Sequence, residues 1–348
     1  MKMKNKVINK VKWKFINFSN KYYRLPNLDY TQKIAYVLGV SNHPNAGDQE
    51  ITLAQKKFIN KYFPNYQYVE IEKEKTIFII SELRKRLKPD DIVFIQGGGT
   101  LSDLYPEHEV PRQILLKELK DSPCKIVQFP VSFYYEDFDK FRSSKSIYNS
   151  VKNLTIFARE SKSLSVLKSE LSVPVLHVPD IVLSQDESSN QPRNNDVVIM
   201  FRSDKECVLP QSLANSIVDH FSKSNNIILT DNYVKDYVLT FEKNRDRLLK
   251  EKFEEFRHAK LIITDRLHGM IFAYITKTPA IVFDNSYGKV KHSFENWLSD
   301  SKYIKFIEGD DLNLENVIKI ANELVNTDKE FVFNVEDVFE PLINITDK

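Results

Sequence analysis

Glycine is scarce in this sequence, and its placement is the first guide to function. Only eight of the 348 residues are glycine, and most lie in three polar clusters, around Gly47, around Gly97 to Gly99 and around Gly269. A chain that avoids glycine elsewhere keeps it where the backbone turns sharply or approaches a ligand closely. The three clusters are therefore predicted to form the active site.

Cysteine and long apolar runs are also scarce. Cys124 and Cys207 match no metal or redox spacing, which indicates a reducing compartment, no metal site and two buried apolar side chains. No stretch approaches the roughly 18 to 20 apolar residues of a membrane span, and the N-terminus lacks the apolar core of a signal peptide. The sequence therefore predicts a cytoplasmic protein.

The charge of the chain is nearly balanced, with 50 basic and 48 acidic residues. The net charge of +2 provides no general attraction to nucleic acid, so no nucleic-acid partner is expected. Residues 2–24 are the exception, because they hold eight Lys or Arg and no acid.

The apolar residues of this basic segment recur at helical spacing. That pattern is typical of an amphipathic helix on anionic lipid, so residues 1–28 are predicted to contact the inner face of the cell membrane. A solvated helix packed on the domain, or a disordered leader, is the alternative. The residues at this spacing are Val7, Val11, Phe15, Phe18 and Tyr22, and Trp13 lies nearby.

From Lys33 onward, short β-rich runs alternate with helical patterns. The first runs are continuous and apolar, as in a parallel sheet covered on both faces, and they form βαβ units with the helices. The polar residues 184–195 have the composition of a linker, and a second alternating series follows. The predicted strands are residues 34–40, 68–71, 91–95, 125–129, 154–157 and 173–178, then 197–201, 226–229, 261–264, 280–283 and 303–307.

These patterns predict an α/β fold with two Rossmann-like domains. The N-terminal domain is expected at residues 29–186, and the C-terminal domain with a helical tail at residues 187–348. Ligands of such sheets bind beyond the carboxyl ends of the strands, so two domains facing each other would enclose a cleft.

The first cluster follows the first strand, where a helix is predicted over residues 49–62. An aspartate there caps the exposed helix amides, which is a sufficient explanation for Asp48 alone. A glycine-containing loop between strand and helix is also an anion cradle, so Asn45 and Gly47 are predicted to bind substrate.

The second cluster, residues 96–103, comes directly after a buried strand. Three successive glycines leave backbone amides able to face a ligand, so Gly98 and Gly99 are predicted to form a binding loop, although a flexible hinge is the alternative. Asp103 is then placed to orient a hydroxyl.

The third cluster is the most specific. Arg266 and His268 lie on the first turn of a predicted helix, with Leu267 between them. There the helix dipole favours an anion and a guanidinium adds bidentate recognition. The pattern predicts an anion site with a proton donor.

Two further cations follow predicted strands. Arg159 opens a helix, where a cation is unfavourable unless an anion joins it, and pairing with Glu160 is the structural alternative. Lys289 follows the strand at residues 280–283 and is predicted to bind substrate or, equally, to be a solvated surface lysine.

In this order, the clusters resemble the polysaccharide pyruvyltransferase family. The matching pieces are Asn45-x-Gly47-Asp48, Gly97-Gly98-Gly99-x-Leu101-x-Asp103, Arg159-Glu160-x-x-Ser163, Pro179-Asp180 and Arg266-Leu267-His268-Gly269. The resemblance implies two Rossmann-like domains in a GT-B arrangement. It also implies transfer of pyruvate from phosphoenolpyruvate to two hydroxyls of a sugar, as a cyclic ketal, in bacterial surface-polysaccharide synthesis. Arg159, Arg266 and His268 fall on the family's donor-site positions.

This activity needs no cofactor beyond the donor itself. Phosphoenolpyruvate is a trianion, so the arginines and the helix start at Leu267 would hold it, and His268 would protonate its methylene carbon. Either Asp48 or Asp103 would accept the hydroxyl protons. The sugar acceptor is left open between lipid-linked and nucleotide-linked forms.

Two other functions are weighed against this one. A GT-B glycosyltransferase would bind a nucleotide sugar in the second domain, with an acidic residue on the ribose. A non-catalytic scaffold would bind sugar polymer at the membrane and would not need two arginines and a histidine at helix starts.

Overall fold

The computed structural model describes residues 23–204, 206–233, 242–324 and 327–346. The apolar residues of the predicted amphipathic helix, Val7 to Tyr22, lie outside this range. The chain forms two compact units. Unit 1 comprises Met1–Asn42, Lys56–Phe157 and Val166–Leu176, and unit 2 comprises His43–Gln55, Ala158–Ser165 and His177–Lys348. The sequence predicts the boundary between the two domains after residue 186, whereas three short stretches of the predicted first domain, residues 43–55, 158–165 and 177–186, belong to unit 2.

Unit 1 is built on a parallel sheet. Its strands are β1 (Lys33–Val40), β2 (Tyr66–Glu72), β3 (Ile92–Ile95), β4 (Gly98–Ser102), β5 (Lys125–Tyr134), β6 (Leu154–Ala158) and β7 (Val175–His177). The helices along this part of the chain are α1 (Ala46–Tyr62), α2 (Lys73–Arg86), α3 (Pro106–Glu118), α4 (Phe138–Asn149) and α5 (Ser161–Glu170). The spatial order is β2-β1-β3-β5-β6-β7, with β4 beside β5. The apolar runs are buried because helices cover a doubly wound sheet on both faces.

The glycine triplet is part of this sheet. Ile95 pairs with Gln128 and Gly98 pairs with Val131, so the partners along β5 keep one register from β3 into β4. The register then shifts between Gly98 and Leu101, as at a β-bulge. Gly98 has φ +106°, which a side chain disfavours. The prediction of a loop at this segment is therefore wrong, because the segment is a bulged strand.

Unit 2 contains a second parallel sheet. Its strands are β8 (Asp196–Met200), β9 (Asn226–Leu229), β10 (Leu261–Thr264), β11 (Ala280–Val282) and β12 (Ile304–Phe306). The helices are α6 (Gln211–Phe221), α7 (Glu242–His258), α8 (Leu267–Ile275), α9 (Lys289–Ser293), α10 (Leu314–Leu324), α11 (Val335–Val338) and α12 (Glu340–Ile343). The order β12-β11-β10-β8-β9 is that of a doubly wound sheet whose switch point lies between β8 and β10. The predicted α/β fold with two Rossmann-like domains is confirmed.

Helix α8 lies at the centre of unit 2. Its residues from Gly269 to Ile275 are all buried, as expected of a helix that is apolar all round. A Cβ on Gly269 would lie 2.3 Å from Thr264 Oγ1, so this glycine allows the helix to pack closely on the end of β10. The position of the helix start, and of His268 on it, is thereby determined.

The predictions drawn from cysteine have different outcomes. Cys124 is buried as predicted, whereas Cys207 is exposed, so the prediction of a buried filler is wrong there. Cys207 lies in the connection between β8 and α6, at the surface. Within the described residues, no helix has both the length and the hydropathy needed to cross a membrane.

The polar segment between the two sheets is anchored by Arg193. Its guanidinium donates to the carbonyls of Phe256, Arg257 and Ala259, at the end of α7, over 2.9 to 3.3 Å. It also donates to the carbonyls of Thr276 and Lys277, after α8, at 3.3 and 2.8 Å. A cation that satisfies the last carbonyls of two helices stabilises both ends.

We expect Arg193→Ala to lower the free energy of unfolding by about 2–4 kcal/mol, because several half-buried carbonyls lose a charged donor. Urea denaturation followed by circular dichroism measures the change. Arg84→Ala is the matched control, since Arg84 is 57% exposed and pairs with Glu118 at the surface; its effect should stay below about 1 kcal/mol. Equal effects of the two substitutions would contradict the anchoring role.

Candidate active site

The imidazole of His268 packs directly on Gly47. The two residues lie in the first turns of α8 and α1. A Cβ on Gly47 would lie 2.4 Å from His268 Nδ1 and 2.7 Å from Cγ, closer than real side chains come. Position 47 therefore requires glycine, because the His268 ring occupies the space that a side chain there would need.

A buried carboxylate, Asp180, lies between Arg159 and His268. Arg159 Nη1 donates to Asp180 Oδ2 at 2.5 Å, and both side chains are almost fully buried. His268 Nε2 lies 3.8 Å from the same oxygen, which is too long for a hydrogen bond. This nitrogen is buried and has no hydrogen-bond partner in the described part of the chain. It is therefore a ring atom whose capacity for a hydrogen bond is unused in this part of the chain.

The start of α5 presents Arg159 to this carboxylate. Trp297 Nε1 donates to the Arg159 carbonyl at 2.8 Å, and the Ser161 amide donates to Asn296 Oδ1 at 2.7 Å. Glu160 lies 3.8 Å from Arg159 Nε, so Asp180 is the nearer partner. The anion that a cation at a helix start requires is thus supplied by the protein itself.

The protonation of His268 is set by its surroundings. Burial lowers the pKa of His268, and Arg159 and Lys289 act in the same direction. Asp180 and Asp48 raise this pKa, but the net direction is downward from the usual value. Near neutral pH the imidazole is therefore mostly neutral in the protein alone.

Arg266 and Lys289 are both paired with acids. Arg266 donates to Asp231 Oδ2 at 2.6 Å and to Asp204 Oδ2 at 3.2 Å. Lys289 Nζ donates to Glu206 Oε2 at 2.7 Å, and its side chain is only 21% exposed, which excludes a solvated surface lysine. Burial lowers the pKa of Lys289, although Glu206 opposes the shift.

The first cluster forms the start of α1. Asn45 Oδ1 accepts from the Gly47 amide at 2.9 Å and from the Asp48 amide at 3.4 Å, so Asn45 caps the helix. The structural role weighed for Asp48, that of a cap, therefore belongs to Asn45. Asp48 lies within the first turn, 3.6 Å from His43 Nε2, and acts electrostatically on His268.

Asp103, Gly98 and Gly99 lie in unit 1. Asp103 accepts from the amides of Glu136 and Asp137 at 2.9 and 3.2 Å and from Lys140 Nζ at 3.2 Å. Burial acts to raise the pKa of Asp103, but these hydrogen bonds outweigh it and lower the pKa. The contacts give Asp103 a loop-anchoring function, and its predicted catalytic role stays a prediction.

The structure therefore brings Gly47, Asp48, Arg159, His268 and Lys289 together in unit 2. Arg266 and Leu267 immediately precede His268, and Leu267 is buried.

Four acids that pair with the cations of the site, Asp180, Asp204, Glu206 and Asp231, were not predicted as site residues. Asp180 belongs to the Pro179-Asp180 piece of the family resemblance, which gives it no role in the site. Glu206 has no neighbouring motif, and its pairing with Lys289 depends on folding.

Among the described residues, no group of three or more His, Cys, Asp or Glu side chains is arranged to hold a metal ion. The absence of a metal or cofactor from the reaction stays a prediction.

Comparisons with known proteins place the chain in a family. The sequence profile of the polysaccharide pyruvyl transferase family matches residues 45–287. General stress protein 30 of Bacillus subtilis (strain 168) is 35% identical over 314 residues, which is 89% of this chain and 90% of that protein. Pyruvyl transferase 1 of Schizosaccharomyces pombe is 26% identical over 289 residues, 77% of this chain and 70% of the relative.

A solved structure supports the fold. The crystal structure of an uncharacterized protein from Klebsiella pneumoniae matches with a TM-score of 0.54 and 19% identity, over 86% of this chain and 98% of that one. The chain belongs to the polysaccharide pyruvyl transferase family, which confirms the resemblance and makes it a transferase by family.

We expect Gly47→Ala to destabilise the protein by about 1–3 kcal/mol, because the new methyl group overlaps the His268 ring. In a His268→Ala background the ring is gone, and the same substitution should have a much smaller effect. Thermal or urea denaturation of the four proteins gives the coupling energy. An equal cost in both backgrounds would show that the two residues do not pack together.

Proposed function

We propose that this protein transfers pyruvate from phosphoenolpyruvate onto two hydroxyls of a sugar, forming a cyclic ketal, in the synthesis of bacterial surface polysaccharide. Family membership supports the transfer of a pyruvyl group. The observation that carries the proposal is the buried His268 Nε2 without a hydrogen-bond partner, beside an Arg159–Asp180 ion pair. A proton donor next to cations suits an anionic enol substrate.

When the donor binds, its anionic groups take the place of protein carboxylates that are paired with the cations of the site. Phosphoenolpyruvate carries a phosphate and a carboxylate, and both can replace side-chain carboxylates on the cations. Lys289 and Arg266 are the cations proposed to bind it, since both keep some exposure in the described structure. Arg159 is almost fully buried, and we propose that it acts on the donor through Asp180 and His268.

The chemical steps follow from this arrangement. A sugar hydroxyl attacks the enol carbon while His268 delivers a proton to the methylene carbon, which gives a tetrahedral phosphorylated intermediate. The second hydroxyl then forms the second C–O bond and gives its proton to the imidazole that the first step left neutral, while the C–O bond to phosphate breaks and inorganic phosphate is released. The cations stabilise the charge that leaves. Asp48, which influences His268 electrostatically, is the proposed acceptor of a hydroxyl proton.

The remaining partners belong to the same proposal. The donor is the one small molecule required, and neither cofactor nor metal takes part. The acceptor is lipid-linked or nucleotide-linked, and the reaction runs in the cytoplasm. The basic segment of residues 2–24 would hold the enzyme at the inner face of the membrane by its attraction to anionic lipid.

Donor binding should be coupled to proton uptake. The His268 pKa is lowered in the protein alone, and a bound trianion would raise it. At a pH between the pKa of His268 in the free protein and its pKa in the complex, donor binding is accompanied by the uptake of about one proton at most. The affinity for the donor therefore rises as the pH falls. Titration calorimetry in buffers of different ionisation enthalpy counts the protons.

His268→Gln should remove this uptake. The matched control is His292→Gln, because His292 lies beside Glu295 at 30% exposure, and this variant should behave as wild type. Equal proton numbers for wild type and His268→Gln would eliminate His268 as the acid.

Phosphate release from phosphoenolpyruvate should depend on a sugar acceptor. We expect release with at least one member of a panel of galactosides, mannosides and N-acetylhexosaminides. His268→Ala should slow release by about 10²- to 10⁴-fold, the usual contribution of general acid catalysis, while phosphoenolpyruvate still binds. Thermal stabilisation by UDP but not by phosphoenolpyruvate would instead favour the nucleotide-sugar glycosyltransferase.

A further inference from the structure

A second concave site opens in unit 2, and Arg159, Asp180 and His268 do not line it. It has a volume of about 300 Å³. It lies at the carboxyl ends of β8 and β9, next to the switch point of the second sheet, where doubly wound sheets bind ligands. Its lining includes Phe201, Leu209, Asn215, Leu229, Thr230 and Asp265, and we call it the β8–β9 pocket.

Asp265 provides the pocket with an unsatisfied acceptor. Its side chain is fully buried, and Oδ1 accepts from the Arg202 amide at 2.8 Å. Oδ2 has no hydrogen-bond partner among the described residues. Burial raises the pKa of Asp265 to about 6, although the Arg202 amide lowers it, so the carboxylate is mostly ionised near neutral pH. A buried acceptor of this kind normally has a partner, which a ligand with O–H donors would supply.

The charges around the pocket disfavour an anionic ligand. Arg202, which also lines it, directs its guanidinium to Asp204 at 3.0 and 3.1 Å and to Glu206 at 2.6 Å. A phosphate placed beside Asp265 would therefore meet carboxylates rather than an available guanidinium. A neutral ligand rich in hydroxyls meets no such repulsion.

Much of the remaining wall is apolar, and part of it is exposed. Leu229 is 67% exposed, and Phe201, which lies against Phe283 with ring centroids 6.1 Å apart, is only half-buried. Apolar surface beside a few polar groups is the usual composition of a pocket for a small ring-shaped ligand. A pyranose has apolar C–H faces and a rim of hydroxyls, and so fits both parts of the wall.

We propose that the β8–β9 pocket binds a sugar ring of the acceptor, with Asp265 Oδ2 accepting a hydrogen bond from one of its hydroxyls. This inference rests on the proposed function. Asp265 directly precedes Arg266 and the start of α8, which carries His268. The acceptor subsite and the proton donor thus belong to one strand-to-helix connection.

Direct sugar binding tests the assignment without any need for turnover. Saturation-transfer NMR would measure binding of methyl galactoside, methyl mannoside and methyl N-acetylglucosaminide to the full-length protein, with uridine monophosphate as the nucleotide arm. Asp265→Asn removes the carboxylate but keeps its shape. Asn215→Trp fills the pocket from an exposed position on α6, and Ser212→Trp, exposed on the same helix but outside the lining, is the matched control.

We expect at least one glycoside to bind wild type and the Ser212 variant, and to bind Asp265→Asn and Asn215→Trp about tenfold more weakly, the equivalent of about 1.4 kcal/mol. Phosphoenolpyruvate affinity, measured by calorimetry, should be unchanged in Asn215→Trp. The assignment is overturned if no glycoside binds wild type at millimolar concentration, if both pocket variants bind glycosides as wild type does, or if only the nucleotide binds.

These readouts separate the two proposals. Suppose that the protein binds glycosides through the pocket but neither binds phosphoenolpyruvate nor releases phosphate. That result would refute pyruvyl transfer and leave the proposed sugar site in place. Suppose instead that both pocket variants release phosphate at the acceptor concentrations that suffice for the wild type. That result would support pyruvyl transfer and refute binding of the acceptor sugar in the β8–β9 pocket.

Discussion

The close packing of the His268 ring on the backbone at Gly47 is the constraint on which the site depends. It brings the start of α1 to the start of α8, although the two helices are far apart in the sequence. Asp180 adds a third segment and, through its ion pair, the start of α5. The His268 imidazole is therefore surrounded by parts of the chain that each begin a helix. Its close contact at Gly47 is with the backbone rather than with a flexible side chain.

Electrostatic balance is the second feature of the site. The sequence predicts concentrated positive charge for a trianionic donor, yet Arg159, Arg266 and Lys289 are each paired with a carboxylate of the protein. The attraction within each pair offsets part of the desolvation penalty of burying these charged groups. Under the proposed function, a donor would have to compete with these internal acids, so its own charge would control the protonation of His268. Proton transfer would then be linked to donor binding rather than built into the resting protein.

Much of the fold follows from the sequence, because continuous apolar runs are a strong signal for buried parallel strands. The strands at Asn226–Leu229 and Leu261–Thr264 agree with their predicted bounds. Strand β4 was not predicted, since its glycines resemble a loop when their pairing with β5 is unknown. Local pattern also placed His268 and Arg266 at a helix start. It could not show that Asn45, rather than Asp48, caps α1, because both residue types are good caps.

The partners of the charged residues were the least predictable part of the site. Asp180, Asp204, Glu206 and Asp231 reach their arginines and lysine only after the chain folds, and no local spacing connects them. The same holds for Asp265, whose unpaired oxygen is visible only when its neighbours are known. Long-range pairing is a property of the tertiary structure, and one sequence contains no direct record of it.

A crystal structure of the protein with phosphoenolpyruvate bound would test the central claim most directly. The account predicts His268 Nε2 within about 3–3.5 Å of the methylene carbon, the distance of a reactive approach, with Lys289 or Arg266 on the phosphate or carboxylate. A donor bound away from His268, or one whose methylene carbon is turned away from the imidazole, would contradict it.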